Sequence, residues 1–188
     1  MKSRNSTRRG FTLLELLVVM TIIAVLAGGI FAAAQFAIRK ARTVQAQNMA
    51  VGLASAISNF RQDYTRWPVT AEKSESTNEL LIHLLGRDTS KNKRGRNYAD
   101  NLPVGKNTSG GLIYSGDTAE LRDPWGELFT VHIDINNDGE ISNPEGAGSG
   151  SSGTLRLKVA VVSKGNDKMM SGINDDGQDA TRDNARSW

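Results

Sequence analysis

An almost unbroken apolar run near the N-terminus constrains this chain most. Within residues 16–36 the only polar side chains are those of Thr21 and Gln35. As a helix rising about 1.5 Å per residue, the run would span roughly 31 Å, close to the thickness of a bilayer core. Basic residues and no acid precede it: Lys2, Arg4, Arg8 and Arg9. The positive-inside rule therefore predicts a single membrane-spanning helix with a cytoplasmic N-terminus and the rest of the chain outside the cytoplasm.

One carboxylate, that of Glu15, lies at the start of this apolar segment. An ionisable group inside a membrane segment is costly, so it indicates a function and a partner of opposite charge. The alternative interpretation is an ordinary secretory signal peptide that is cleaved near residues 32–34. The carboxylate, the length of the run and a helical pattern that continues to about Arg61 all disfavour that alternative.

The segment around Glu15 has a recognisable order, Arg8-Arg9-Gly10-Phe11-Thr12-Leu13-Leu14-Glu15. It resembles the type III signal of type IV pilins and type II secretion pseudopilins. The resemblance implies that prepilin peptidase removes residues 1–10 by cleaving after Gly10, and that Phe11 is then N-methylated. It implies that residues 11–36 form the transmembrane and assembly helix and residues 37–188 a periplasmic domain. Glu15 matches the family glutamate that pairs with the terminal amine, here on Phe11, of a neighbouring subunit.

The remaining chain carries further likenesses to the major pseudopilin. They lie in residues 63–68, in the Asp-Pro-Trp-Gly turn at residues 123–126, and in the tail from residue 163 to residue 188. The resemblance implies an α+β, type IV pilin-like fold. In that fold a long N-terminal helix packs on a small antiparallel sheet that carries calcium-binding loops.

Periodicity predicts the same α+β layout from the residues themselves. The helix should continue to Tyr64 and stop before Pro68, because apolar residues recur at helical spacing. They are Val44, Met49, Leu53, Ile57 and Phe60. A short second helix is predicted at residues 78–85, ended by Gly86. Strands are predicted at residues 128–135 and 154–162, with a Gly/Ser hairpin loop at residues 146–153 between them.

Three polar features receive structural rather than functional interpretations. His83 lies among leucines and is predicted to be a partly buried core histidine. His132 is predicted to be a surface residue of its strand. The basic stretch at residues 87–96 is predicted to be a solvated loop, with contact to a membrane surface or an acidic partner as the alternative.

Composition narrows the classes of function. The net charge is +3 and four cations lie in the leader, so the basic pI near 9.3 does not favour nucleic-acid binding. The sequence has no cysteine, no histidine cluster and no phosphate-binding glycine loop. Its acidic pairs lie in Asn- and Gly-rich loops, without the apolar setting that raises the pKa of a general acid. We therefore predict a non-enzymatic protein in which bound metal replaces disulfides as a staple.

Residues 134–145 fit the calcium-loop pattern D-x-[DN]-x-[DN]-G-x5-E at every position. Calcium takes six to eight oxygen ligands. The predicted ligands are the side chains of Asp134, Asn136 and Asp138, the carbonyl oxygen of Glu140 and the carboxylate of Glu145. Gly139 permits the sharp turn, whereas Pro144 directly precedes the last ligand. The alternative is an Asn/Asp/Gly-rich hairpin turn that binds no metal.

The tail is a second candidate calcium site. Its carboxylates are Asp167, Asp175, Asp176, Asp179 and Asp183. The resemblance places Asp167 and Asp183 as side-chain ligands and the Lys164 carbonyl as a backbone ligand. This chain departs from the family at Asn184, where a second acidic residue is usual. Clustered carboxylates repel one another unless a cation neutralises them, which favours metal over the alternative of a solvated acidic tail.

These features predict a structural subunit of a type II secretion pseudopilus in the inner membrane. The chain would self-assemble into a helical filament through its N-terminal helix, and calcium would rigidify its periplasmic domain. The partners implied are prepilin peptidase, the inner-membrane secretion platform and minor pseudopilins. Two alternatives remain: a type IV pilin of a surface filament for adhesion or motility, and a membrane-anchored calcium-binding module that does not polymerise.

Overall fold

The computed structural model describes residues 12–146, 153–172 and 179–188. The chain divides into two compact units, Met1–Lys40 and Ala41–Trp188, and helix α1, Leu13–Tyr64, contributes to both. The predictions for Gly10, Phe11, Asp175 and Asp176, and for most of the Gly/Ser loop, lie outside the described residues.

The described part of the first unit is helical. Its large apolar side chains are exposed, with Leu13 87% and Val25 76% exposed. Within the described residues, α1 is the one helix long and apolar enough to cross a membrane, by length and composition. Gly28 and Gly29 lie inside the helix without breaking it.

In the second unit, α1 buries one face. The buried residues are Ala46, Met49, Ala50, Leu53, Ala56, Ile57 and Phe60. Val44 was expected on this face, but its side chain is 42% exposed because it lies off the stripe that begins at Ala46. The helix ends at Tyr64, as predicted, and Thr65 takes a left-handed φ of 55°.

The main sheet has four antiparallel strands in the order β1-β4-β7-β8. They are β1, Lys73–Glu75; β4, Thr130–Ile133; β7, Val159–Ser163; and β8, Ala185–Arg186. Val131, Ile133 and Val161 are fully buried in the same core as Leu53 and Phe60 of α1. A long helix on a small antiparallel sheet is therefore the observed α+β layout, which is consistent with a pilin-like fold.

Smaller elements complete the second unit. Helix α2, Asn78–Leu84, lies where the sequence predicts it. A hairpin, β2 Gly111–Ser115 and β3 Thr118–Arg122, turns at Gly116, where φ is +58°. Sequence analysis missed this hairpin, although Gly116-Asp117 after an apolar run is a turn signal. A two-residue antiparallel pair is formed by β5, Ile141–Ser142, and β6, Thr154–Leu155.

Two predictions about this unit were wrong in detail. The strand expected at residues 154–162 is split into β6 and β7, because the Leu157 N–H donates to the Leu155 carbonyl at 3.0 Å and turns the chain. His132 is only 7% exposed, because β5 contacts β4, so it is not a surface residue. The basic stretch at residues 87–96 is a largely exposed loop, as predicted, apart from Asn92, which is fully buried.

Candidate functional site

In the first turn of α1, Glu15 and Thr12 form a reciprocal set of hydrogen bonds. The backbone N–H and the hydroxyl of Thr12 each donate to Oε2 of Glu15 at 2.8 Å, and the Glu15 N–H donates to Oγ1 of Thr12 at 3.2 Å. This pattern is a capping box, which satisfies two backbone donors at a helix start. Sequence analysis assigned Thr12 no role, although the T-x-x-E spacing signals one. A neighbouring amine would join or replace these local donors.

Around Glu15, the described part of the first unit exposes mostly apolar side chains. The exposed side chains include Leu14, Leu17, Ile22, Leu26, Ile30, Phe31 and Phe36. A contiguous apolar surface of this length is unfavourable in water and is characteristic of a segment covered by lipid or by other helices. The helix therefore fits a membrane anchor.

The first residue of the candidate calcium loop is buried. Asp134 is 2% exposed, and its Oδ2 accepts the Gly139 N–H at 3.0 Å across the turn. Gly139 takes a φ of +84°, a conformation that glycine adopts without strain. The other carboxylate oxygen, Oδ1 of Asp134, is buried and accepts no hydrogen bond. An unpaired buried carboxylate oxygen is costly, so it marks a place where a ligand would be favourable.

The next predicted ligands lie on the same turn. Nδ2 of Asn136 donates to Oδ2 of Asp138 at 2.7 Å, and the Glu140 N–H donates to Oδ1 of Asp138 at 2.8 Å. The side chain of Glu140 faces Arg156 at 3.5 Å, which leaves its carbonyl oxygen as the group for a cation. Asp134, Asn136, Asp138 and Glu140 line one cavity of about 440 Å³.

Glu145, the predicted last ligand of the loop, is engaged elsewhere. It is 7% exposed, and its Oε1 accepts from Nε of Arg186 at 2.7 Å and from Nδ2 of Asn184 at 2.8 Å. It does not line the cavity of the other four. Among the described residues, no three Asp, Glu, His or Cys side chains lie close enough together to hold a metal ion.

In the tail, the carboxylate of Asp183 lies against the backbone of Asn166 and Asp167. Oδ2 of Asp183 accepts the backbone N–H of Asn166 at 2.6 Å and that of Asp167 at 3.2 Å. Gly165 makes this approach possible, because a Cβ there would lie 2.6 Å from Cγ of Asp183. Lys164, whose carbonyl is the predicted backbone ligand, directly precedes this turn.

Asp179 and Asn184, the other described tail residues considered as ligands, make different contacts. Oδ1 of Asp179 accepts from the N–H of Thr181 at 2.9 Å and so caps a single 3-10 turn, Ala180–Arg182. Asn184 is buried and donates to Glu145, but its Oδ1 accepts no hydrogen bond. An amide oxygen is a ligand that calcium accepts, so the residue present at this position fits the ion that the resemblance implies.

His83 is buried, as predicted, and lies close to the basic loop. Its Nδ1 is 3.4 Å from Oδ2 of Asp88. Burial lowers the pKa of His83 below 6.5, and the positive charge of Lys91 lowers it further, while Asp88 opposes the shift. The imidazole is therefore neutral at physiological pH, which suits a packing role rather than an ion pair.

Residues 5–31 match the profile of the Prokaryotic N-terminal methylation motif. No curated protein and no solved structure matched the chain. The motif indicates a type IV pilin-like protein, that is, a pilin or a pseudopilin. It implies processing by prepilin peptidase and assembly into a filament, and the proteins that carry it are structural rather than enzymatic.

Proposed function

We propose that this protein is a structural subunit of a type II secretion pseudopilus, most similar to the major pseudopilin, and that it supports protein export from the inner membrane. One observation carries the proposal. A helix that begins with the methylation motif and with Glu15 presents uncovered apolar side chains along its described N-terminal part. A surface of this kind suits both storage in lipid and packing against identical helices in a filament core.

Assembly would pair the Glu15 carboxylate with the terminal amine of a neighbouring subunit. After cleavage, the amine of Phe11 is the new terminus, and Glu15 of one subunit neutralises the Phe11 amine of its neighbour. The pairing offsets the cost of two unpaired charges in apolar surroundings. It therefore favours the axial register in which the two groups meet. Thr12 holds the Glu15 carboxylate until that partner arrives.

Calcium would act as the staple of the periplasmic domain. The domain has no cysteine, so no disulfide is available to it. Two buried oxygen atoms without hydrogen-bond partners, Oδ1 of Asp134 and Oδ1 of Asn184, support the loop and the tail as the places where the ion binds. Ion binding only to the folded domain would stabilise it by mass action.

The test compares the extracellular proteome of a deletion strain with that of its parent. Loss of a set of exported proteins is expected, with recovery on expression of the intact gene. Glu15→Ala should be processed normally but should not restore export, whereas the control Glu75→Ala, an exposed carboxylate on β1, should restore it. An unchanged extracellular proteome would contradict the pseudopilus.

The second candidate is a type IV pilin, because the matched motif is common to both kinds of subunit. It predicts surface filaments that disappear in the deletion strain while secretion continues. The absence of a cysteine pair weighs modestly against it. A third candidate, the anchored module that never polymerises, requires the leader to be retained, so a mature N-terminus at Phe11 measured by mass spectrometry would exclude it.

A further inference from the structure

A second cavity lies in the second unit, beside the end of α1 and the residue that precedes β7. Its volume is about 290 Å³, and the described residues that line it are Ser58, Arg61, Gln62, Thr65, Trp67 and Lys158. Two of these residues are cations, and none of them carries a carboxylate. We call it the cationic cavity, because no side chain on its described wall neutralises the two positive charges.

Arg61 is the more enclosed of the two cations. It is half-buried, and its guanidinium lies 3.9 Å from the centre of the Trp67 ring. Its Nη2 donates to Oδ1 of Asn137, whereas its Nη1 is buried and donates to no described group. It forms no ion pair with any carboxylate in the described part of the chain. A partly buried cation without an anionic partner is unfavourable, so an anion bound beside Arg61 would be stabilised.

Lys158 is the second cation of the cavity. It is exposed, and its carbonyl accepts the Asp134 N–H at 3.0 Å. The Asp134 carbonyl in turn accepts the indole N–H of Trp67 at 2.8 Å. These bonds tie the backbone of Lys158 to the ring on which Arg61 lies. Both cations are therefore positioned before a ligand arrives, which lowers the entropic cost of binding one.

The lining of the cavity also indicates which kind of anion would bind. Guanidinium and ammonium groups donate hydrogen bonds to carboxylate and phosphate oxygens alike. The Trp67 ring adds an apolar wall, which favours an anion on an apolar stem over a compact, strongly hydrated one such as inorganic phosphate. The C-terminal end of α1 opposes an anion with about half a charge, which is less than the two full charges of the cations.

We propose that the cationic cavity binds a carboxylate on an apolar stem. Arg61 and Lys158 bind the carboxylate, and Trp67 packs against the stem. A group of this kind occurs in small organic acids and in the glutamate side chain of another protein. The site is separate from the Glu15 pairing and from the proposed calcium ligands, so it goes beyond the proposed function.

Trp67 provides the readout. The full chain in detergent micelles is labelled with fluorotryptophan, and the fluorine NMR signal of Trp67 is assigned with the variant Trp67→Phe. The sample is titrated with butyrate, with inorganic phosphate and with butyramide, which has nearly the same shape as butyrate but no charge. N-acetylglutamate amide represents the glutamate side chain of a protein.

Butyrate is expected to shift the Trp67 signal with half-saturation at about 1–10 mM, and butyramide and phosphate should bind about tenfold more weakly or less. Lys158→Gln should weaken butyrate binding about fivefold or more, because it removes one of two charged partners. The matched control Lys106→Gln removes an exposed cation outside the cavity and should leave the affinity within about twofold of the parent. Lys158 and Lys106 are both exposed, so their comparison decides the assignment even if Arg61→Gln displaces Trp67.

The arms of the titration distinguish the two sources of the carboxylate. Comparable binding of N-acetylglutamate amide would identify the glutamate side chain of a partner protein, and binding of butyrate alone would identify a free organic acid. Butyramide that binds as tightly as butyrate, phosphate that binds more tightly, or a Lys158→Gln variant that behaves like Lys106→Gln would each overturn the proposal. So would a Trp67 signal that butyrate does not shift. None of these results bears on the secretion phenotype of the deletion strain.

Discussion

Buried polar residues in the second unit tie distant segments together one side chain at a time. Oδ1 of Asp123 accepts the N–H groups of Trp125 and Glu127 at 2.9 Å, and its Oδ2 accepts the hydroxyl of Ser163 at 2.6 Å. Asn92 does the same for the basic loop, where its amide donates to the carbonyls of His83 and Arg96. Each such residue satisfies backbone groups in loops or at the end of a helix.

Asp123→Ala should therefore destabilise the chain markedly. It leaves two amides and a hydroxyl without an acceptor in a fully buried site, and each unsatisfied group costs about 1–3 kcal/mol. We expect a loss of about 3 kcal/mol in the free energy of unfolding, measured by urea titration of the full chain in detergent. The control Asp117→Ala lies in the exposed turn of the β2–β3 hairpin and should cost about 0.5 kcal/mol or less. Similar values for the two variants would contradict the role of Asp123.

The titration of His83 should be visible in stability. The unfolded chain takes up a proton near the ordinary histidine pKa of 6.5, whereas burial and Lys91 lower the pKa of His83 in the folded chain. The unfolded state therefore binds more protons between those two pKa values, so stability present above pH 6.5 is lost as the pH falls through the folded value. The melting temperature should drop as the pH falls below about 6.5. His83→Gln should show a smaller drop, and an unchanged pH dependence in that variant would contradict this assignment.

At the scale of elements, long periodic segments were predictable and short ones were not. The end of α1 at Tyr64 and the position of α2 follow from periodicity and from stop signals such as Gly86. Strands of two or three residues, such as β1, β5 and β8, are too short to show a recognisable alternation, so only their hydrogen bonds reveal them. The burial of His132 could not be predicted for the same reason, since it depends on β5.

The candidate metal site also has a part that local sequence predicts and a part that depends on long-range contacts. The turn around Gly139 and the ligands on it follow from a local pattern, because those residues are close in sequence. The position of Glu145 depends on Arg186, which lies far along the chain and pairs with it only through the fold. No spacing rule contains that contact.

The turn at Gly165 offers a test at this scale. Its φ is +72°, and an added Cβ would lie 2.6 Å from both Cγ and the carbonyl oxygen of Asp183. Gly116 has a similar φ of +58° but open space around it, so it is a matched control for backbone strain alone. Gly116→Ala should cost about 1 kcal/mol and Gly165→Ala about 3 kcal/mol in urea unfolding, because only the second adds a clash. Equal costs would show that the close approach of Asp183 is not required.

At the scale of the whole molecule, one chain combines an apolar helix suited to lipid with a polar domain that lacks disulfides. The first unit is exposed along its described length, while the second has its own closed core. This division matches the two tasks of a pilin-like subunit, since one part assembles and the other faces water. The stability of the second unit then has to come from packing, hydrogen bonds and, as proposed, calcium.

Chelation should test that last contribution directly. Addition of EDTA to the full chain in detergent is expected to lower the melting temperature by several degrees, since an ion present at about 100 times its dissociation constant adds about 2.7 kcal/mol. Calcium in excess should restore the transition, and magnesium should restore it less because it prefers octahedral sites with bound water. A transition that EDTA leaves unchanged would remove calcium as the staple.

Strand β8 has a consequence for the order in which the chain can fold. It pairs with β7, the Ser187 N–H donates to the Val161 carbonyl, and Arg186 holds Glu145. β8 is translated after every other described strand, and in the proposed topology it would also be the last of them to cross the membrane. In that topology the sheet and the Glu145 tie would close only once residue 187 has crossed. Subunits that stalled on the way would lack the finished edge of the sheet, and a protease that attacks open edges would distinguish them from completed ones.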